Sequence, residues 1–451
     1  MRHGLNLIYF FYWMTAISIL TGCTNLQEKR SITPPQVVTA WADMALYITK
    51  NTPANSPTFA SRGFGYIGLT MYESTVHGFR DHSSLAGQLN GLDSLPLPEK
   101  NLHYNWVLCL NASQAFILKN IYIQTSDGNK LRIDSLENLI FKQYSSEEEK
   151  TIVSRSVGYG KAVAEAIFQW SKTDGGHRAY LNNFDKSLVH QAALGSWEPP
   201  LYGQSFSHYP LHPHWGSNRT FVIANANLPI PEMIRHDSAK QSEYYKQSQL
   251  VYEKSKTLNE EEKEIALWWN DDPGETFTPP GHSFYLAVQV LKKSNPDLIK
   301  GTETLARAGM AVADAFINCW KWKYHHFSER PSSYISRNID ERWESFWPDP
   351  PFPAFPSGHA TQSAAASTVL IDLYGDNFIL VDSAHALRPR DELRQVEFKP
   401  RTFKSFWQIT QETANSRFYG GIHTPQDNEV GLVEGKKIGM NVNALKWRSV
   451  E

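Results

Sequence analysis

Apolar side chains recur at three-and-four spacing over one long segment after another, while the alternating or β-branched runs that would announce strands are scarce. In the first half, segments 34–49 (PPQVVTAWADMALYIT), 59–79, 105–123 and 148–171 (EEKTIVSRSVGYGKAVAEAIFQWS) each carry an apolar stripe, which predicts a helical bundle. From about 174 to 238 the texture changes. GSWEPPLYGQSFSHYPLHPHWGS is rich in Gly, Pro, His and aromatics, and reads as loop that packs over a scaffold and links two halves. Helical spacing resumes at 242–255 and 259–270, then at 281–294, 296–327, 357–375, 403–420 and 425–445. No internal repeat or low-complexity tract appears. The expected fold is all-α, two packed helical bundles in one compact body, with an N-terminal helical region and its loop-rich linker at 24–235 and a second bundle at 236–451.

With 451 residues, 41% apolar and 13% aromatic, the chain has ample material for a large core. Lys and Arg (44) nearly balance Asp and Glu (46), with no arginine-rich block or basic helix face. The footprint of a nucleic-acid binder is missing, so any anion must be held by a local group of cations.

Residues 1–23, MRHGLNLIYFFYWMTAISILTGC, join a positive start at Arg2 to an apolar run of signal-peptide length. The run ends in Leu20-Thr21-Gly22-Cys23, which resembles the bacterial lipobox. That resemblance implies a cleaved signal peptide, an acylated Cys23, and a lipid-anchored protein of the bacterial cell envelope on the periplasmic or outer-membrane face. An uncleaved anchor helix is the alternative. Beyond Cys23 no stretch approaches the roughly 20 apolar residues of a bilayer span, so membrane contact runs through the N-terminal lipid only. Cys109 and Cys319 lie in apolar, helix-like contexts, which favours two buried thiols over a bridge.

The chemistry concentrates in the second half. In PFPAFPSGHATQSAAAS (352–368) Ser357 is a natural helix cap, Gly358 admits a ligand close to the backbone, and first-turn amides favour an anion. Upstream, Lys323 and Arg330 stand seven residues apart, with Pro331 next. Downstream, Arg417 closes one helix and His423 precedes another that Pro425 starts. An oxyanion needs this inventory: arginines for geometry, a lysine as point charge, and a hydroxyl and amide for remaining lone pairs. One histidine can then attack or ligate the central atom while the other moves a proton. Asp427, one turn beyond His423, can accept its Nδ1 proton, cap the helix with Thr424, or do both.

K-x6-RP, PSGH and SR-x5-H-x3-D, in this order within 323–427, resemble the three signature motifs of the superfamily that joins type 2 phosphatidic acid phosphatases, bacterial acid phosphatases and vanadium-dependent haloperoxidases. The resemblance implies a helical bundle and makes Lys323, Arg330, Ser357, Gly358 and Arg417 the oxyanion site. It makes His359 the acid/base group and His423, backed by Asp427, either the vanadate ligand or the phosphate nucleophile. Length and the absence of membrane spans favour the soluble haloperoxidase branch. Trp320 and Phe352 resemble the aromatic pair that lines the halide side in vanadium chloroperoxidases, although both also read as core aromatics. The expected enzyme oxidises halide with hydrogen peroxide at histidine-bound vanadate; the alternative is a phosphatase that cleaves phosphate esters through a phosphohistidine and needs no cofactor. A lipoprotein that only binds the oxyanion is a third class, disfavoured because His359, His423 and Asp427 are all present.

Two other clusters stand out. Asp271, Asp272, Glu275 and His282 in WWNDDPGETFTPPGHSF read as an inter-helix loop, or as support for Arg330 or Arg417 or part of the entrance to the site. His208, His212 and His214 lack helical register and a carboxylate partner, so they read as loop packing and not a metal site. His325 and His326 follow Lys323, facing either the cage or solvent.

Overall fold

The computed structural model describes residues 31–188, 193–199 and 209–449. The lipobox with Cys23, and His208, lie outside them. From Ile32 onward the described residues fold as one compact unit. Among the described residues the chain forms α1 (Pro34–Lys50), α2 (Pro57–Glu73), α3 (Trp106–Ile121), α4 (Asp127–Ser145), α5 (Lys150–Ser171), α6 (Ile223–Ala226) and α7 (Glu243–Ser255). It continues with α8 (Glu260–Trp268), α9 (Thr278–Ser294), α10 (Leu298–His326), α11 (Pro331–Asn338), α12 (Gly358–Tyr374), α13 (Phe406–Tyr419) and α14 (Pro425–Asn443). Strands β1 (Leu380–Asp382) and β2 (Arg401–Phe403) pair antiparallel, Leu380 opposite Phe403. The all-α expectation holds. The sequence pattern missed α4, which buries only Asn129, Ile133 and Ile140 and so shows little apolar stripe.

The long helix α10 is buried on every side from Leu298 almost to its end, and is therefore the axis of the core. Its closest neighbour is α2, and glycines let the two backbones touch: a Cβ at Gly68 would lie 2.3 Å from the Leu305 carbonyl oxygen, and one at Gly309 equally close to that of Phe64. Since α2 precedes residue 235 and α10 follows it, the core runs across that position. The loop-rich segment lies on the same helix. Asp314 of α10, fully buried, accepts the Phe221 and Val222 amides at 2.7 and 3.0 Å and Asn225 Nδ2 at 2.8 Å. Further bonds tie the segment down from Trp320 and Tyr324 to the Leu211 carbonyl and from Arg62 and Tyr66 to Asp174.

A second close contact sets the site. Gly431, Gly435 and Gly439 form one stripe of α14, and a Cβ at Gly435 would fall 2.1 Å from the Thr361 carbonyl of α12. The first turns of α12 and α14 are held side by side, and the Ser357 amide donates to the Asp427 carbonyl at 2.9 Å.

Candidate active site

Five helix ends meet here. Lys323 comes from the last turn of α10, Arg330 caps α11 before Pro331, and Ser357 caps α12. Arg417 closes α13, and His423 stands just before α14, whose start is fixed by Thr424 and Pro425. The C-termini of α10 and α13 and the N-cap of α11 thus deliver the cations while the N-termini of α12 and α14 bring positive dipole ends, a concentration of positive potential suited to an anion.

His423 is 3% exposed, and its Nδ1 donates to Asp427 Oδ2 at 2.9 Å. Asp427 also accepts the Thr424 amide at 3.1 Å within a capping box. Both roles expected of Asp427 are filled, because a carboxylate has several lone pairs. With the proton on Nδ1, Nε2 is bare and accepts from Arg330 Nη1 at 3.2 Å. Arg330 spends its other donors on carbonyls of Phe352, Pro353 and Ile422, which fixes its plane. Lys323 Nζ donates to the carbonyls of Pro353 and Ala354 at 2.8 and 2.6 Å. Arg417 donates to Ser416 Oγ and the Ala266 carbonyl. Among the described residues these three cations bond to carbonyls, a hydroxyl and an imidazole, and their charge stays available to an anion.

The electrostatics follow. Burial pulls Lys323 down, and Arg330 and Arg417 each fall to about 10 for the same reason, opposed by the nearest carboxylates. Burial and then the charges of Arg330, Lys323 and Arg417 push His423 well below the ordinary imidazole value. Burial and Arg417 do the same to His359, against which the Asp271 carboxylate pulls the other way. The Trp269 carbonyl favours the charged form of His359, whose buried Nε2 has no partner among the described residues.

A cavity of about 580 Å³ opens over the cage, lined by Gly358, His359, Arg417 and His423 on one side and by Phe316, Trp320 and Phe352 on another. Trp320 and Phe352 meet at 4.9 Å, so these two aromatics are both core packing and cavity wall. Lys323, Arg330, Ser357 and Asp427 stand behind the wall. Phe352 is the shared floor, with Lys323 Nζ 5.3 Å and Arg330 Cζ 5.2 Å from its ring centre.

The remaining candidates separate. His326 bonds the Pro231 carbonyl, and neither it nor His325 lines the cavity. His212 is buried against Thr58 and Ala179, and exposed His214 meets Asp185, so loop packing accounts for both. Asp272 lines the cavity beside Arg417, and burial lifts it to about 6. His282 lies within α9, at the start of its second turn, one ring nitrogen on Asp271 and the other on Asp382. Neither Asp382 nor His385, which joins Asp271, stands out in the sequence, since VDSAH carries no periodic or motif signal.

A helical scaffold whose helix ends pool three buried cations and two histidines defines the oxyanion-site superfamily of vanadium haloperoxidases and acid phosphatases. The family model described as the VCPO second helical-bundle domain matches residues 303–450. A bacterial vanadium-dependent iodoperoxidase of known structure is 30% identical, with a TM-score of 0.79 over 92% of this chain and 97% of that one. Apo and holo forms of a bacterial vanadium-dependent chloroperoxidase share the fold at 15% and 16% identity, TM-scores 0.67 and 0.64, covering 87% and 89% of this chain and 94% and 97% of theirs. A search of curated proteins returns no significant match. The chain belongs to the vanadium haloperoxidase family, and is an enzyme of the peroxidase class.

Proposed function

We propose that this enzyme oxidises halide with hydrogen peroxide at a vanadate held by His423. The observation that carries the reading is the His423 Nε2 lone pair, kept bare by the Nδ1 bond to Asp427 and set among three buried cations at a cavity wall. The donor set fits vanadate: Arg330 reaches His423 Nε2 while Lys323 and Arg417 act on the same ring through their charge, and His359 Nε2 is a buried polar atom without a partner among the described residues. Vanadate bound there supplies a Lewis-acidic centre that activates hydrogen peroxide toward halide.

The chain's own residues do the rest. Lys323, Arg330 and Arg417 offset the charge of the oxyanion, and the Ser357 hydroxyl and Gly358 amide at the start of α12 offer hydrogen bonds to its oxygens. His359 Nε2 takes the proton that peroxide must lose, and Trp320 and Phe352 present an apolar wall where a weakly hydrated halide can approach. Tethering through an acylated Cys23 in the bacterial envelope is part of the same proposal; labelled palmitate incorporation that survives Cys23→Ser would contradict it.

The test strips the enzyme of phosphate, loads it with orthovanadate and follows peroxide-dependent iodide and bromide oxidation, iodide first because of the iodoperoxidase relative. The expected result is oxidation that requires vanadate and disappears in His423→Ala. Hydrolysis of p-nitrophenyl phosphate by the unloaded enzyme, inhibited by vanadate and without halide oxidation, would make it a phosphatase instead.

A further inference from the structure

Between α8 and α9 the backbone does something unusual. Asp271 has φ 52° and Thr278 φ 71°, left-handed values that side chains with a Cβ rarely hold and that a β-branched residue holds least. Two groups at the start of this loop act on the acid/base histidine: the Trp269 carbonyl at the C-cap of α8, which favours the protonated ring of His359, and the Asp271 carboxylate, which lines the same cavity.

What fixes the turn is a buried quartet from three separate segments. Asp271 Oδ2 accepts from His282 Nδ1 at 2.8 Å, and Oδ1 accepts from His385 Nε2 at 2.9 Å. His282 Nε2 donates to Asp382 Oδ2 at 2.7 Å. Asp382 is itself held by Trp268 Nε1 at 2.6 Å and the Ala384 amide at 2.9 Å. None of the four side chains is more than 2% exposed. The His282 ring lies flat on the Trp269 indole, 4.4 Å between centres, so it touches the residue whose carbonyl meets His359.

Both ring nitrogens of His282 face carboxylate oxygens, and only an imidazolium donates twice. Burial opposes that charge, but Asp271 and Asp382 outweigh it and lift His282 to about 10. The other titratable rings in contact with it are His385 at 5.0 Å and Tyr285 at 6.2 Å. The ligating atoms of Asp271, His282 and His385 lie within 4.8 Å of one another, close enough for a divalent cation. Both ring nitrogens of His282, and Nε2 of His385, nevertheless each have a carboxylate oxygen at hydrogen-bond distance, which favours the proton.

We propose that His282 is a positioning residue: clamped as a cation between Asp271 and Asp382, it locks the 269–272 turn so that the Trp269 carbonyl holds the Nδ1 proton of His359 and leaves Nε2 bare on the cavity. The proposal rests on the reading of His359 as the group that deprotonates peroxide. Asp271, fixed as a carboxylate, is then the negative charge that sustains the basicity of His359 against Arg417 and His423.

Nitrogen-15 spectra of histidine-labelled, vanadate-free enzyme read both rings directly. The expected result is His282 protonated on both nitrogens from about pH 6 to 9, with His359 neutral and its proton on Nδ1. Asp382→Asn removes one carboxylate without touching the cavity. It should lower the Nδ1-protonated population of His359 and cut kcat about tenfold, the usual scale for a lost orienting partner, while the orthovanadate Kd changes by less than about threefold. His385→Gln should give the same pattern more weakly. The proposal is overturned if His282 titrates below about pH 8, if the enzyme purifies with a stoichiometric divalent metal in this cluster, or if folded Asp382→Asn keeps the His359 tautomer and kcat of the wild type. A wild-type enzyme with no halide oxidation at all would remove the functional reading, while the spectra would still decide the role of His282.

Discussion

Replacing Asp427 by Asn isolates the claim that the site depends on one tautomer. Asp427 Oδ2 takes the Nδ1 proton of His423 and the Thr424 amide, both out of reach of solvent. Asn offers one oxygen instead of two and a donor where His423 now needs an acceptor. A hydrogen bond to a charged partner is worth ~1.5–3 kcal/mol and a neutral one ~0.5–1.5, so the bare-Nε2 form loses about 1–2 kcal/mol. If only that form binds vanadate, affinity falls by the same factor, roughly 5- to 30-fold. The assay titrates stripped enzyme with orthovanadate at pH 8 and measures free vanadate after ultrafiltration, with thermal melting to confirm the fold. Affinity within about twofold of wild type, in a folded variant, would refute the reasoning.

Other expectations follow from the packing and the buried groups. Gly435→Val puts atoms where the Thr361 carbonyl already lies, so it should cost at least about 3 kcal/mol in denaturant titration and weaken vanadate binding as α12 and α14 part. His212 is held near pKa 4 by burial, so the unfolded chain binds a proton below about pH 6.5 that the folded one refuses. Relative to His212→Gln, wild-type stability should therefore fall by about 3 kcal/mol between pH 6.5 and 4, a difference that chemical denaturation across that range will reveal or exclude. Cys109, pushed up to about 12 by burial, and Cys319, raised for the same reason, should resist a disulfide thiol reagent in the native enzyme and react once it is unfolded. Rapid native labelling of either would contradict their burial.

The cage was legible because each of its groups sits at a helix end that the sequence punctuates: Pro331 after Arg330, Ser357 before a helical run, Thr424-Pro425 after His423. Local signals of that kind survive without knowledge of the fold. The helix pattern was legible for the same reason wherever one face was apolar. What stayed hidden is what long-range packing creates. His282 and Asp382 are 100 residues apart, and only the meeting of α9 with β1 makes them partners. The Gly431, Gly435 and Gly439 stripe reads as ordinary helix until α12 is laid against it. The three-residue strands are too short to show a period of two. Asp314 looks like a polar interruption of α10, yet it pins the loop-rich segment that no periodicity described.

The most direct measurement is a crystal structure of the vanadate-loaded enzyme. The expected result is one vanadium bonded to His423 Nε2, its oxygens facing Arg330, Arg417, Lys323 and the start of α12. Vanadium bound to another residue, or full occupancy of the cavity with Nε2 of His423 unbonded, would contradict it.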